Sequence, residues 1–502
     1  MSEGEDIKKY FNKIPIIDKN SPVPLYYQLK GILKEVIKEE KFKPGDRFPT
    51  EERMCKTFGI SRTPVRQALS ELVNERLLYR RRGNGTFVND FSYLNIKRLK
   101  VIVPEQRWLS PLKKAGKIWN KNNPGRRVRL DISVVGYSQL RFKIITAVAR
   151  GEAPDFSLID SVWISELADT EFLKSLNEIN TKWVENNFKK DFFPVFIKQN
   201  SYKGQVYGIQ PESDMALVWY RKDWFKAESL NPPRTWDELT EVAKYFKQEK
   251  VRKKYNLACY PLAFPAGLKA GETTSYCLLS FLWSAGHNVF PEGKVVLGEE
   301  VFRVLRFFKN LVQKYKLASS HIVSYEWDQA PKLLAKGRVA ISIGGSYEKI
   351  LIQKAAGWND EEFREKVGFV LIPSGPGGTQ ATICGGMTWT IFRQSKHPQL
   401  ALELLKIATD QKLMGEFCRE TGQNPPRISA ANFLNLEKNW FLYETSKFLR
   451  KARTRPAIPE YAKVSEQLQI MTENVVSCRM SIKEAVKKAL EIIEVVVSTS
   501  KQ

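Results

Sequence analysis

From Leu99 to its end the chain alternates short apolar runs with amphipathic stretches, and this restricts it to few architectures. "LKVIVPE" reads as a buried strand, Leu112–Asn120 as a helix, "NNPGRRVRLDISVV" as a turn and a strand, Gln139–Arg150 as a helix, "GEAPDFSLID" as a turn and a strand, and Ser161–Ala168 as a helix. Helices show as apolar residues recurring at 3.6-residue spacing, buried strands as short continuous apolar runs. Strand–helix alternation over 400 residues predicts an α/β fold. Two capping boxes punctuate it, Thr235 with Glu238 and Ser481 with Glu484.

Residues 20–88 follow a different pattern. Leu25, Leu29, Ile32, Leu33, Val36 and Ile37 form a helical stripe that "KPGD" stops. Thr50 reads as the N-cap of a second short helix with Glu51 and Glu52 in its first turn, and Gly59 closes it. Ser61 reads as the cap of a third. That helix buries Val65, Ala68, Leu69, Leu72 and Val73 on one face and carries Arg62 and Arg66 on another, with Thr63 and Gln67 beside them. "LLYRRRGNGTFV" then predicts a hairpin turning at Gly83–Gly85, with Arg80, Arg81 and Arg82 at its shoulder. Three helices and a basic hairpin make a winged helix-turn-helix. In that module the third helix enters the major groove of double-stranded DNA and the wing touches backbone or minor groove. Arginine suits the task through bidentate bonds to guanine edges or phosphate. Residues 89–98, "NDFSYLNIKR", read as a linker, and 99–502 as the α/β body.

The formal net charge of +25 favours polyanionic partners. It does not single out the head, since residues 1–98 hold 20 Lys/Arg against 13 Asp/Glu, net +7, and the rest carries +18. Six cysteines without a CxxC pair, and three dispersed histidines (His287, His321, His397), argue against a zinc site or a disulfide framework and suit reduced thiols in the cytoplasm. The N-terminus lacks the apolar core of a signal peptide, and no window approaches eighteen apolar residues, so no membrane partner is expected. HExxH, GxSxG and a phosphate loop ending in GK are all missing, so neither an enzyme nor a cofactor is expected, and "GPGGTQA" reads as a surface loop.

The body is rich in aromatics, with 12 Trp and 18 Tyr. Several sit beside polar groups at predicted strand ends: Asp160 and Trp163, Asp214 and Tyr220, Glu326 and Trp327, Tyr347, and Gly386 and Trp389. Ligands of α/β proteins bind at strand ends. Rings stack on the flat C–H faces of sugars while carboxylates accept from hydroxyls, so this recurrence predicts a sugar pocket.

The stretch "PGDRFPTEERMCKTFGISRTPVRQALSELVNERLLYRRRGNGTFV" resembles the GntR family of bacterial regulators. The resemblance implies DNA contacts at Arg62, Thr63 and Arg66, supported by Arg47, Thr50 and the Gly83–Gly85 wing. Ser61, Gln67, Arg81 and Arg82 join them by position. One position departs: where many members carry a DNA-contacting Arg, this chain has Glu52. From about Leu99 onward the chain resembles a family 1 extracellular solute-binding protein of sugar transporters, through "APDFSLIDSVWISELADTEFLKSLNEI", "YGIQPESDMALVWYRKDWF", "KGRVAISIGGSYE", "CGGMTWTI" and others in order. That resemblance implies a two-lobed, periplasmic-binding-protein-like α/β domain with sugar between the lobes. It adds Arg427 of "NPPRISA" to the pocket candidates. An export signal would be expected of a transporter receptor; a DNA-binding module stands there instead.

Together these predict a cytoplasmic, homodimeric, DNA-binding transcription regulator whose body senses a sugar or oligosaccharide. Two alternatives stand beside it. One is a GntR-type regulator with a pyridoxal-phosphate aminotransferase-like body, which needs a Schiff-base Lys and an acidic partner; "SFLWS" and "GGSYEK" supply neither. The other is an intracellular sugar-binding protein whose winged helix makes only protein contacts.

Overall fold

A computed structural model of the chain describes residues 15–38, 42–89, 96–291, 294–449 and 451–499. They divide into two units, residues up to Arg98 with Gly116–Leu130, and Leu99–Ala115 with Asp131 onward.

In the first unit, helices α1 (Leu25–Lys38), α2 (Glu51–Phe58) and α3 (Arg62–Asn74) precede a hairpin of β1 (Leu78–Arg81) and β2 (Gly85–Val88). Leu29, Leu33 and Val36 of α1 meet Val65, Leu69 and Leu72 of α3 around Phe48, Met54 and Phe58. The apolar stripes therefore face inward as their spacing predicts. Thr50 accepts from the Arg53 amide at 3.4 Å, and Gly59 ends α2 in the left-handed conformation. Ser61 stands at the start of α3, but its side chain makes no capping bond. Lys30 and Lys34 of α1 pair with Glu71 of α3 and with Glu75 just past its end.

The body opens with β3 (Lys97–Val103), which starts inside the expected linker; residues 90–95 of that linker lie outside the described residues. Then come α4 (Leu109–Asn122), β4 (Val128–Val134), α5 (Tyr137–Ala149), β5 (Phe156–Asp160), a 3-10 turn Ser161–Trp163, α6 (Ile164–Asp169), β6 (Leu173–Lys174) and β7 (Gly208–Ile209). The Ser161–Ala168 helix is thus a 3-10 turn running into a short α-helix. It begins where Asp160 turns its side chain to accept from the Val162 amide at 3.2 Å. The chain continues with β8 (Asp214–Arg221), β9 (Leu262–Ala263), α7 (Glu272–Ser284), β10 (Ile341–Gly345), β11 (Val367–Val370), β12 (Ile383–Gly385), β13 (Met387–Phe392), α8 (Gln411–Thr421), β14 (Arg453–Thr454), α9 (Tyr461–Val476) and α10 (Ile482–Thr499).

Two six-stranded sheets give the two lobes. One runs β4-β3-β5-β13-β6 with β7 beside β13; the other runs β9-β10-β8-β12-β14 with β11 beside β8. The chain crosses between the sheets twice within a small space, from β7 to β8 through residues 210–213 and from β12 to β13 through Gly386. Gln210 binds the crossings together, its amide donating to the Gly385 and Glu212 carbonyls at 2.8 and 3.0 Å. Gly386 holds φ +133°, and a Cβ there would lie 2.9 Å from Gln210 Nε2 and the Glu212 carbonyl oxygen. The Ser481/Glu484 box forms as expected, each backbone amide accepted by the other side chain. At Thr235 only half forms: Thr235 accepts from the Glu238 amide, but the Glu238 carboxylate accepts from Arg234 instead. "GPGGTQA" is only partly a surface loop, because buried Gly375 presses on Trp236.

Candidate functional site

The head's candidate residues are exposed. Ser61, Arg62, Thr63, Arg66 and Gln67 are all exposed at the start of α3, opposite the buried Val65–Ala68–Leu69 face. Thr50 and Arg47 are also exposed. Arg47 lies in a segment that pairs with the outer edge of the wing: the Phe48 amide donates to the Thr86 carbonyl at 2.8 Å. Gly85 holds φ +111°, a conformation that favours glycine, and a Cβ there would come 3.3 Å from Arg47 Nε. Arg81 lies over the Tyr79 and Phe87 rings, while Arg82 and Gly83 form the exposed tip.

One residue of this surface carried no sequence signal. The Glu51 carboxylate accepts from Arg62 Nε at 3.2 Å and Arg66 Nη2 at 3.3 Å. Its side chain is 24% exposed while the two arginines are 69% and 61% exposed, so it sits beneath them. Burial raises the Glu51 pKa, but the two guanidiniums outweigh that and hold it below the usual range.

In the body a cavity of about 620 Å³ opens at the crossings between the sheets, within the roughly 300–1,000 Å³ typical of ligand sites. Strand register places its floor. Asp160 at the end of β5 pairs with Met387, and Asp214 at the start of β8 pairs with Gly385. Gly386 alone separates those partners, so one carboxylate from each lobe reaches the same space. Of the ten pocket candidates the cavity gathers five: Asp160, Asp214, Trp327, Tyr347 and Gly386.

The other five lie elsewhere. Trp389 is 1% exposed, enclosed by Trp108 and Phe156. It is two residues into β13, where the sheet is already covered. Trp163 is buried behind the cavity, stacked at 5.9 Å on Tyr137, which does line it. Tyr220 stands at the far end of β8 against Phe225. Glu326 points outward to Lys269. Arg427 is held at 2.6 Å by Asp191 and by the Thr409 carbonyl.

Sequence reasoning missed the groups that organise the cavity. Arg455, with 1% of its side chain exposed, donates to Asp160 at 3.2 Å and Glu272 at 2.8 Å. Tyr137 donates to Asp160 at 2.7 Å, and Tyr276 to Asp214 at 2.6 Å. Arg107 bridges Glu105 at 2.8 Å and buried Glu212 at 3.0 Å. Tyr276, Tyr347 and Trp327 form an aromatic wall, with neighbouring centroids 6.4 and 6.2 Å apart. Burial pushes Glu212 up to about 7 against the pull of Arg107, and Asp214 up to about 6 against its Tyr276 hydrogen bond. Burial also pushes Glu272 upward despite Arg455. Both tyrosine hydroxyls are pushed well above their usual range by burial and so remain hydrogen-bond donors. Such a space offers carboxylate acceptors, hydroxyl donors and rings to a polar ligand with flat apolar faces. Among the described residues no group of His, Cys, Asp and Glu could hold a metal ion, and no helix is long and apolar enough to cross a membrane.

Residues 25–88 match the family described as bacterial regulatory proteins, gntR family, and residues 103–414 match the bacterial extracellular solute-binding proteins. Neither description is that of an enzyme. The head is 53% identical over 73 residues to the HTH-type transcriptional repressor NagR of Bacillus subtilis, covering 14% of this chain and 30% of that one. The maltodextrin-binding protein MdxE of Bacillus subtilis is 24% identical over 360 residues, covering 68% of this chain and 78% of MdxE. A solute-binding protein of Thermotoga lettingae, solved with α-D-tagatose, superposes with a TM-score of 0.68 at 24% identity, over 80% of this chain and 99% of that one.

Proposed function

The chain belongs to the bacterial extracellular solute-binding proteins and carries a gntR-family domain at residues 25–88; from that pairing we propose that it is a transcription regulator whose body senses a sugar. The head binds an operator in double-stranded DNA, with Arg62, Thr63 and Arg66 at base edges, Ser61 and Gln67 flanking them, and Arg47, Thr50, Arg81, Arg82, Gly83 and Gly85 against the backbone. Such heads read paired half-sites as homodimers, and DNA as partner places the work in the cytoplasm. The cavity takes a sugar or oligosaccharide.

The observation that carries the reading is the convergence of Asp160 and Asp214, one from each lobe, beside the Gly386 crossing. A ligand bonded to both favours the arrangement in which the lobes are together, and shifts the equilibrium by its differential affinity for the two arrangements. That shift changes the spacing of the two heads on the operator.

A thermal-shift screen of the full chain against mono- and oligosaccharides tests the sensor, since a ligand at 100 times its Kd adds about 2.7 kcal/mol. Operator affinity with and without the sugar found tests the coupling. The Arg62→Ala/Arg66→Ala double variant tests the head: salt-dependent DNA affinity that survives both substitutions refutes the reading.

A further inference from the structure

On a chain of formal charge +25, the cavity is acidic. Each of its two buried or half-buried guanidiniums is matched by two carboxylates: Arg107 by Glu105 and Glu212, Arg455 by Asp160 and Glu272. Each trio is left with a formal charge of −1. Asp214 adds a third negative charge. Among the described residues its carboxylate is bonded by Tyr276 alone, and no Lys or Arg pairs with it. Glu420 and Lys354, both exposed at the rim, cancel. The formal balance is −3, and −2 when Glu212, pushed up to about 7 by burial, takes a proton.

Holding unmatched negative charge away from water is costly unless a partner neutralises it. A neutral sugar offers hydroxyl dipoles but no charge. A ligand with a fixed positive charge offers both, and Tyr276, Tyr347 and Trp327 line the same cavity as Asp214 with rings that attract a cation, as Tyr276 already does for Arg455, whose Cζ lies 4.8 Å from its ring centroid. We infer that the natural ligand is an amino sugar, a mono- or oligosaccharide bearing a free ammonium group that pairs with Asp214 against the Tyr276 and Tyr347 rings.

This rests on the reading of the cavity as a sugar site and adds the charge of the ligand to it. The test is calorimetry on the full chain with matched sets of mono- and disaccharides in the gluco, galacto and manno configurations. Each set comprises the neutral sugar, the N-acetylated amino sugar and the free amine. A hydrogen bond to a charged group is worth about 1.5–3 kcal/mol, so in the configuration that binds the free amine is tighter than both partners by about ten- to a hundredfold. A neutral or N-acetylated sugar that binds tightest overturns the inference and leaves the sugar sensor standing. Sets that all fail to bind overturn the sensor as well. In Asp214→Asn the ratio of amine to neutral affinity collapses towards one; an unchanged ratio refutes the placement of the ammonium group. The comparison on the unaltered chain decides the ligand class even if that variant does not fold.

Discussion

Replacing Arg455 with methionine keeps the unbranched apolar stem of the side chain and removes the guanidinium with its charge. Arg455 follows β14 in one lobe and bonds Glu272 in that lobe and Asp160 in the other. With 1% of its side chain exposed, it has little contact with water to lose. The variant leaves two carboxylates in a buried site without their cation. Breaking a buried ion pair by removing one partner costs about 3–5 kcal/mol. The body spans roughly 390 residues, and unfolding entropy is about 2.1 cal/mol/K per residue, so if it melts as one unit Tm falls by about 4–6 °C at neutral pH. The sign of the pH dependence follows from Glu272. Burial already raises its pKa above the unfolded value, and loss of Arg455 raises it further. The folded variant then holds a proton that the unfolded chain releases, so stability is present at low pH and lost as pH rises above the ordinary Glu range. Melts followed by circular dichroism at pH 5 and pH 8 should therefore show a deficit that widens with pH. The triple variant Arg455→Met/Asp160→Asn/Glu272→Gln should recover most of it. A Tm within about 1 °C of the parent, or a deficit independent of pH, refutes the view that Arg455 neutralises buried charge.

Gly386→Ala places a Cβ 2.9 Å from Gln210 Nε2 at φ +133°. It should cost about 1–3 kcal/mol in urea unfolding and weaken sugar binding, because it strains the crossing that joins the lobes. Glu212, pushed up to about 7, makes the folded body bind a proton that the unfolded chain releases from about pH 4 upward. Stability should fall as pH rises through that window, and Glu212→Gln should flatten the slope in thermal melts. Leu69→Ala removes a side chain that is 1% exposed in the core of the head. A loss of about 2–5 kcal/mol is expected, with DNA binding lost in anisotropy titrations while sugar affinity in the body is kept. Glu51→Gln frees Arg62 and Arg66 and removes a negative charge from the surface proposed to bind DNA. Affinity for random DNA should rise, and discrimination in favour of a site selected from a random library should fall by about fivefold or more.

Periodicity and local chemistry are properties of neighbours along the chain, and they were legible. The 3.6-residue stripes of α1 and α3, the glycine that ends α2, the wing at Gly83–Gly85 and the strand–helix alternation of the body all follow from residues a few positions apart. So does the Ser481/Glu484 box. Asp160 and Asp214 were legible as pocket residues because each sits at a strand end. Trp389 and Trp163 look the same in sequence, yet both are buried behind the cavity. Depth along a strand is set by what packs over it, here Trp108 and Phe156 over Trp389. Arg455 is 295 positions from Asp160 and 183 from Glu272, and no local pattern can announce such a pairing. The sequence by itself determined most of the elements and the basic face of α3, because those depend on spacing, and its motifs carried the resemblance to the two families. Only the tertiary structure decided which carboxylates share a guanidinium and which stands alone, because electrostatic neutralisation in a buried site depends on distances of 3 to 4 Å that folding alone sets.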